Sequence, residues 1–195
     1  MRRVELEHVL RAASRVLGER NLLVIGSASI LGTFPETLLP AEATRSDEAD
    51  LASFDDPDGS KAIQIDGAIG ELSPFHREFG YYGQGVDVTT AKVPPGWRER
   101  LVLYGNRNTT PGRGWCLERN DCVASKLAAF REKDREFAEA LIRAGLVDAR
   151  VVRERFARIK DLDPRLRARV LVWLDEGTPS SGNESESAQG SPVRA

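Results

Sequence analysis

The chain contains little cysteine and histidine and has no long apolar run. Two cysteines, Cys116 and Cys122, and two histidines occur in 195 residues. These are too few for a disulfide framework and match no zinc-binding spacing, so both cysteines are expected to be reduced thiols. The first residues soon reach the charged Glu5 and Glu7, which is not the pattern of a signal peptide, and no segment is apolar enough to span a membrane. We therefore expect a cytoplasmic protein with no membrane partner.

The charge of the chain is small overall but strongly segregated along the sequence. A net charge of -2 argues against a protein that coats nucleic acid by bulk electrostatics. Residues 36–78 nevertheless contain eleven acidic and three basic side chains, whereas residues 92–135 contain ten basic and five acidic ones. Residues 143–169 add nine basic and four acidic side chains. The second half is thus suited to a phosphate-rich ligand and the first to cations, although two solvated helical faces would give the same pattern.

Hydrophobic periodicity predicts a mixed α/β fold. Helical spacing or helix-forming composition covers residues 4–17, 58–72, 120–145, 148–159 and 163–174, and a further helix begins at residue 28. Short apolar or alternating runs predict strands at residues 22–25, 48–53, 85–90, 101–104 and 115–117. The last two are separated by turn-forming residues and are expected to form a hairpin that closes the sheet.

This pattern defines an α/β (α+β) class, with a small mixed sheet flanked by helices and a C-terminal helical lobe. We expect residues 1–118 to form the α/β core and residues 119–175 the helical lobe. Residues 176–195 contain only one aliphatic side chain larger than alanine. Such a segment cannot bury enough surface to offset its ordering entropy, so it is predicted to be a disordered tail.

The first candidate functional feature is Gly26-Ser27, directly after the buried strand at residues 22–25. At the start of a helix, the backbone N–H groups and the Ser27 hydroxyl are suited to holding a phosphate. A tight turn in which Ser27 only caps the helix is the alternative.

Carboxylates on the next two predicted strands form the second feature. Glu48 and Asp50 are two residues apart, so they project from the same face of a strand. Paired carboxylates repel each other unless a cation lies between them, which suits the metal ions of phosphoryl transfer. Asp87 in the predicted strand 85–90 would complete a three-carboxylate site, as metal ligand or base, if this strand lies beside the pair. A solvated acidic loop and a polar residue on an edge strand are the alternatives.

The third feature lies in the predicted helix at residues 120–145. If this helix is unbroken, Asp134 falls within its apolar stripe and needs a partner, because an unpaired buried charge is costly. Lys126 and Lys133 are seven residues apart and share another face, where they could hold a triphosphate. A break near Arg131 would instead reset the register and expose Asp134.

Together these residues resemble the DNA polymerase beta-like nucleotidyltransferase superfamily, which has a Gly-Ser after its first strand, an acidic pair on the next strand and a third carboxylate. The segment that contains Lys126 and Arg131-Glu132-Lys133-Asp134 is similar to small AbiEii-like toxins of bacterial toxin-antitoxin systems, including mycobacterial ones that modify tRNA. The resemblance covers residues 22–146.

The resemblance implies a role for each of these residues. The nucleotide would be bound by Gly26, Ser27, Lys126, Arg131 and Lys133. The metal ion, Mg²⁺ or Mn²⁺, would be bound by Glu48, Asp50 and Asp87. The catalytic residues would be Glu48, Asp50, Lys126, Asp134 and Asp87. The chain departs from the usual Asp-x-Asp by having glutamate first.

The implied function is a toxin that transfers a nucleoside monophosphate from a nucleoside triphosphate to the 3′ end of tRNA. A pyrimidine nucleotide is one candidate for the transferred group. Aminoacylation and translation would then be blocked, and a cognate antitoxin would be a partner. A small-molecule or protein hydroxyl as acceptor, or a catalytically silent nucleotide- or antitoxin-binding module, are the alternatives.

Overall fold

The computed structural model describes residues 1–176 and contains a five-stranded mixed sheet with helices packed around it. The strands are β1 Asn21–Ile25, β2 Glu48–Ala52, β3 Tyr82–Gly85, β4 Val102–Tyr104 and β5 Arg113–Cys116. The α-helices are α1 Arg3–Leu17, α2 Ala41–Thr44, α3 Ser60–Ile69, α4 Pro74–Phe79, α5 Arg119–Leu127, α6 Glu132–Arg143, α7 Ala149–Ala157 and α8 Pro164–Glu176. Four 3₁₀ helices are Ser27–Gly32, Glu36–Leu38, Val88–Thr90 and Arg98–Arg100. The predicted α/β class is confirmed.

The strand order is β3-β2-β1-β5-β4, which places the most apolar strand in the centre. β1 is antiparallel to β2 and parallel to β5, whereas β2 is parallel to β3 and β4 is antiparallel to β5. The predicted hairpin at the end of the sheet is therefore confirmed. All residues of β1 after Asn21 are buried, as expected for a strand that pairs on both sides.

The two faces of the sheet carry different side chains. A Cβ atom on Gly83 would contact Val9 of α1, Ile69 of α3 and Leu51 of β2, so these side chains occupy one face. Side chains alternate along a strand, and the neighbours of Leu51 in sequence therefore point away from α1 and α3. This alternation puts Glu48 and Asp50 together on the opposite face.

The third strand lies earlier in the chain than predicted. β3 spans Tyr82–Gly85, and residues 85–90 form its last residue, two irregular residues and the 3₁₀ helix Val88–Thr90. Gly85 marks the change because it contacts α3 closely: a Cβ there would lie 2.0 Å from the carbonyl oxygen of Ala62. The prediction of a strand at residues 85–90 was wrong, because the apolar alternation of this segment comes from residues that leave the sheet.

The predicted helix at residues 120–145 is divided in two. α5 ends at Leu127, and α6 begins at Glu132 after Phe130, which adopts a left-handed backbone conformation with φ of 50°. The φ value of Phe130 breaks the helical hydrogen-bonding pattern and changes the direction of the chain. The later helices follow the predicted positions, and Gly145 with φ of 69° follows the end of α6.

The helices after β5 pack both on each other and on the sheet region. α5 contacts α6, α7 and the 3₁₀ helix Ser27–Gly32, while α6 contacts α2. The division into a core of residues 1–118 and a lobe of residues 119–175 stays a prediction. Glu176 ends α8, and the rest of the predicted disordered tail, residues 177–195, lies outside the described residues. Within residues 1–176, the helices are too short or too polar to span a membrane.

Candidate active site

The turn after β1 holds the end of the central strand against a carboxylate. Gly26 has φ of 69° and ψ of -165°, a combination that is essentially restricted to glycine. A Cβ atom on Gly26 would lie 1.8 Å from Oδ2 of Asp50. The Gly26 carbonyl accepts hydrogen bonds from the Ser29 hydroxyl at 2.7 Å and the Cys122 thiol at 3.3 Å. Only glycine fits here, because both the backbone conformation and the contact with Asp50 exclude a side chain.

Glu48 and Asp50 lie side by side on β2 and are both half-buried. Burial, together with the neighbouring Glu48, raises the pKa of Asp50 to about 7. A hydrogen bond between the two carboxyl groups lowers the pKa of Glu48. The pair therefore holds one proton and one charge more easily than two charges. A cation between them would remove this repulsion and favour the doubly ionised form.

Tyr82 on β3 fixes the position of Glu48. It was not among the site residues that the sequence predicted. β2 and β3 pair Glu48 with Tyr82, and the Tyr82 hydroxyl donates a hydrogen bond to Oε2 of Glu48 at 3.1 Å. Burial of Tyr82, followed by the charge of Glu48, raises the pKa of the phenol. The Tyr82 ring also contacts the imidazole of His76, with 4.6 Å between centroids. The aromatic pair Tyr81-Tyr82 is typical of a strand and was the available signal.

Three cationic side chains face the carboxylates from the region where α5 meets α6. Lys126 lies near the end of α5, Arg131 immediately precedes α6, and Lys133 is in its first turn. Lys126 and Lys133 both favour the ionised form of Glu48 and Asp50. An unbroken helix was expected to place Lys126 and Lys133 on one face. In the structure the two lysines reach the same site although the chain turns at Phe130 between them.

A cavity of about 530 Å³ lies between these carboxylates and cations. Its lining includes residues from the Gly-Ser turn, β2, α5 and α6: Ser27, Glu48, Asp50, Lys126, Arg131, Lys133 and Asp134. The same cavity is also lined by Arg45 from the end of α2. Because opposite charges face each other across it, this cavity is suited to a ligand that brings both metal ions and phosphates.

Asp134 is buried, with 1% of its surface exposed, although the unbroken helix on which this expectation depended is divided in two. Its carboxylate accepts hydrogen bonds from the backbone N–H of Arg131 at 3.2 Å and from Nε of the same residue at 2.7 Å. This pairing satisfies the charge despite the helix break that was expected to expose it. Asp134 therefore caps the first turn of α6 and orients Arg131 at the cavity.

Asp87 lies outside this arrangement. Its carboxylate is exposed and accepts a hydrogen bond from the backbone N–H of Thr89 at 2.6 Å, which caps the 3₁₀ helix Val88–Thr90. It lines neither of the two cavities that contain Asp50. The residue opposite Asp50 on β3 is Gln84. The expectation that Asp87 completes a three-carboxylate site was wrong in its premise, because β3 ends before this residue.

A second cavity, of about 210 Å³, adjoins the larger one at Asp50. It shares Asp50, Lys126 and Arg131 with the larger cavity. Gly26 also lines it, so all the predicted site residues except Asp87 line one or both cavities. The two cavities therefore share Asp50, one of the carboxylates that the sequence predicted to be in the site.

The carboxylates of Glu48 and Asp50 are the two protein groups in this site that could bind a metal ion. Within residues 1–176 no group of three or more histidine, cysteine, aspartate or glutamate side chains is arranged to hold a metal. Glu48 and Asp50 remain as a carboxylate pair, and Mg²⁺ is commonly held by one or two carboxylates with water and substrate phosphates supplying the other ligands. The residues present therefore fit a metal ion that is bound together with a phosphorylated substrate.

A mixed sheet with a Gly-Ser turn after its central strand and a carboxylate pair on the adjacent strand has the arrangement expected of nucleotidyltransferases. Residues 4–174 match the family described as "Nucleotidyltransferase of unknown function (DUF6036)", and the chain belongs to this family. Comparisons with curated proteins and with solved structures gave no match. The resemblance to nucleotidyltransferases is thus confirmed, while the family match does not extend to the narrower group of AbiEii-like toxins.

Proposed function

We propose that this protein is a metal-dependent nucleotidyltransferase that moves a nucleoside monophosphate from a nucleoside triphosphate to a hydroxyl group. One observation carries the proposal: the carboxylate pair Glu48 and Asp50 lines the same cavity as the cations Lys126, Arg131 and Lys133. A carboxylate pair suits divalent cations, and the lysines and arginine suit phosphates. The family match supports the same class of reaction.

Mg²⁺ or Mn²⁺ is the proposed cofactor, held by Glu48 and Asp50. Such an ion would neutralise charge on the triphosphate and on the oxygens that attack and leave. Tyr82 holds Glu48 through its hydroxyl group, and Gly26 allows Asp50 to approach the end of β1. The protein thus fixes both carboxylates before any ligand binds.

The remaining residues bind and orient the triphosphate. Ser27 begins the 3₁₀ helix next to Asp50, and Lys126 and Lys133 approach from α5 and α6. In the proposed reaction, the acceptor hydroxyl loses its proton to water and its oxygen forms a bond to the α-phosphorus. The bond from that phosphorus to the oxygen that bridges to the β-phosphate breaks, and pyrophosphate leaves. Positioning and preorganised charge supply most of the acceleration of such reactions.

The proposed acceptor is the 3′ hydroxyl of tRNA, which makes the protein a toxin that blocks aminoacylation and has a cognate antitoxin. This part of the proposal is supported by the resemblance of the Lys126 to Asp134 segment to AbiEii-like toxins. The excess of basic side chains in residues 92–135 and 143–169 is consistent with a polyanionic acceptor.

A small cationic acceptor, such as an aminoglycoside, is the second candidate. The observation that favours it is the number of carboxylates around the larger cavity. Six line it: Glu42, Asp47, Glu48, Asp50, Asp134 and Glu136. Arg131 and Arg45 pair with some of these groups, but the lining still carries more acidic than basic side chains.

The test is incubation of the purified protein with total tRNA, Mg²⁺ and each α-labelled nucleoside triphosphate in turn. We expect label on tRNA with wild type and none with Asp50→Asn. Asp58→Asn is the matched control, since this exposed carboxylate lies outside both cavities. Label on an aminoglycoside but not on RNA would favour the second candidate. Nucleotide binding without release of pyrophosphate on any acceptor would contradict catalysis and indicate a silent binding module.

A further inference from the structure

A third cavity, of about 440 Å³, adjoins the smaller of the two cavities that contain Asp50. The linings of these two adjoining cavities share Ala91 and Lys92. The other walls of the third cavity are formed mainly by residues 93–97 and by residues 159–161, which follow α7. The carboxylate pair of β2 does not line it. We call the two adjoining cavities together the Lys92 groove.

The lysines of the chain are concentrated at the active site and along this groove. The sequence contains five lysines, and one of them, Lys61, is paired with Glu19. The other four line the Lys92 groove or the larger cavity: Lys92, Lys126, Lys133 and Lys160. Within residues 1–176, the ammonium groups of these four have neither a hydrogen bond nor an ion pair. Ammonium groups without partners that line adjoining cavities suit a ligand with phosphates spaced along its length.

The wall of the groove at residues 93–97 is held by a buried ion pair. Arg100 donates hydrogen bonds to the carboxylate of Asp121 at 2.7 and 3.1 Å, and Asp121 is completely buried. The same guanidinium donates to the carbonyl of Pro95 at 3.1 Å. Trp97 lines the groove on this wall, and the guanidinium of Arg98 lies 4.9 Å from the centre of its ring. The groove therefore has a large aromatic side chain on a fixed segment.

The turn after α7 is fixed by another arginine. Arg167 of α8 donates to the carbonyls of Ala157 and Ile159, both at 2.6 Å. Ile159 is buried, whereas the next residue, Lys160, is exposed. Asp161 is the one carboxylate that lines the third cavity, against two lysines. The turn thus presents an ammonium group to the groove from a fixed backbone.

The proposed reaction limits the route by which the acceptor reaches the α-phosphorus. The attacking and leaving oxygens of a phosphoryl transfer lie roughly in line with the phosphorus. The acceptor therefore cannot enter through the space that holds the leaving pyrophosphate. Ser27 and Lys133, which are proposed to bind the triphosphate, line the larger cavity but not the smaller one. The smaller cavity still reaches Asp50, so it gives the acceptor a separate route that the third cavity extends.

We propose that the Lys92 groove binds the single-stranded 3′ end of an RNA acceptor, with the terminal hydroxyl at Asp50 and the preceding nucleotides along Lys92 and Lys160. This inference rests on the proposed function, and it adds the path of the acceptor and the requirement that its end is unpaired. Lys92 and Lys160 bind phosphates of the strand, and a base stacks on the indole of Trp97. Stacking needs an open base face, which a single strand provides and a continuous duplex does not.

Binding of RNA in the absence of nucleotide tests the groove independently of transfer. The probes are a fluorescent RNA hairpin with a short single-stranded 3′ overhang and the same hairpin with a blunt end, followed by anisotropy over a range of monovalent salt concentrations. We expect wild type to bind the overhang hairpin more tightly than the blunt one. The double variant Lys92→Gln, Lys160→Gln should bind the overhang more weakly. Its slope of log affinity against log salt concentration should fall by about 1.4, since each contact with a single-strand phosphate contributes about 0.7.

Matched variants separate this effect from general charge and from the nucleotide site. Arg15→Gln also removes an exposed positive charge, but Arg15 lines none of the three cavities, so its affinity and slope should match wild type. Trp97→Leu keeps an apolar side chain and should lose about fivefold or more of the affinity for the overhang, with the salt slope retained. In transfer assays the double lysine variant should raise the KM for RNA and keep the KM for the nucleoside triphosphate.

Three binding results would overturn the assignment: equal affinity of wild type for the overhang and blunt hairpins, an unchanged salt slope in the double lysine variant, or an equal loss in Arg15→Gln. The last would mean attraction by general surface charge. Transfer to RNA with an acceptor KM that is independent of both lysines would also contradict the groove while the proposed function stands. Binding that follows the expected pattern without any transfer to RNA would contradict the proposed reaction and support the groove.

Discussion

The carboxylate of Asp50 occupies the space that a side chain on Gly26 would need. A Cβ atom at position 26 would lie 1.8 Å from Oδ2 of Asp50, and the backbone there has a positive φ. The end of the central strand and the carboxylate of Asp50 on the neighbouring strand, the proposed metal ligand, are therefore fitted to each other. Any change in one of them is transmitted directly to the other.

Gly26→Ala is expected to destabilise the protein and to abolish turnover. The positive φ alone costs roughly 1–2 kcal/mol for an L-residue, and displacement of Asp50 raises the expected loss to roughly 3 kcal/mol or more. Gly18→Ala is the control, because Gly18 also has a positive φ but nothing within 4 Å of its Cβ position. Urea unfolding and a turnover assay would measure both effects. Equal stability losses in the two variants would contradict the role of the Asp50 contact.

Tyr82→Phe is expected to weaken metal binding while the fold is retained. The substitution removes the hydrogen bond to Glu48 and keeps the ring that contacts His76. Loss of a group that orients a metal ligand typically lowers metal affinity or activity by roughly 10–100-fold. The measurement is turnover as a function of Mg²⁺ concentration, in which the half-saturating concentration should rise.

Tyr104→Phe is the matched control for this experiment. It removes a hydrogen bond of the same kind, from the Tyr104 hydroxyl to Glu7, at a carboxylate that lines neither cavity around Asp50. The Mg²⁺ dependence of Tyr104→Phe should match that of wild type. An equal shift in both tyrosine variants would point to a general loss of stability and against a specific effect on Glu48.

Asp87→Asn distinguishes between two roles of Asp87: the third metal-binding carboxylate predicted from the sequence and the exposed helix cap seen in the structure. If Asp87 were a third metal-binding carboxylate, its amide variant would lose turnover as completely as Asp50→Asn. The structure instead places Asp87 at an exposed 3₁₀ helix cap, where asparagine can also accept the hydrogen bond from Thr89. We expect turnover within about threefold of wild type, since the loss of a surface charge has only small effects. A loss of several orders of magnitude would return Asp87 to the site.

The two cysteines are expected to react with a thiol reagent only after unfolding. Both side chains are completely buried, and burial raises the pKa of Cys116 to about 12 and that of Cys122 to about 11. A raised pKa keeps the thiol neutral at pH 8, and the thiolate is the reactive form. Titration with an aromatic disulfide should show almost no fast reaction in the folded protein and two thiols in denaturant. Fast reaction of either thiol in the folded state would contradict this packing.

Those parts of the site that depend on local periodicity could be predicted from the sequence. The strand period of two was enough to place Glu48 and Asp50 on one face, and the Gly26-Ser27 turn followed from its position after an apolar strand. These two features depend on residues that are close in sequence, so the sequence by itself determined them. The burial of Asp134 was expected only for an unbroken helix, and Asp134 is buried although the helix breaks.

The remaining features depend on contacts between distant segments, which only the tertiary structure decided. β3 begins at Tyr82 because this segment pairs with β2 and packs on α3, although residues 85–90 have the more regular alternation. The helix after β5 breaks at Phe130, whose ring packs against Trp173 of α8, more than 40 residues later. That break brings Lys126 and Lys133 to the carboxylates of β2. A pattern within one segment cannot show this convergence, since packing between segments sets it.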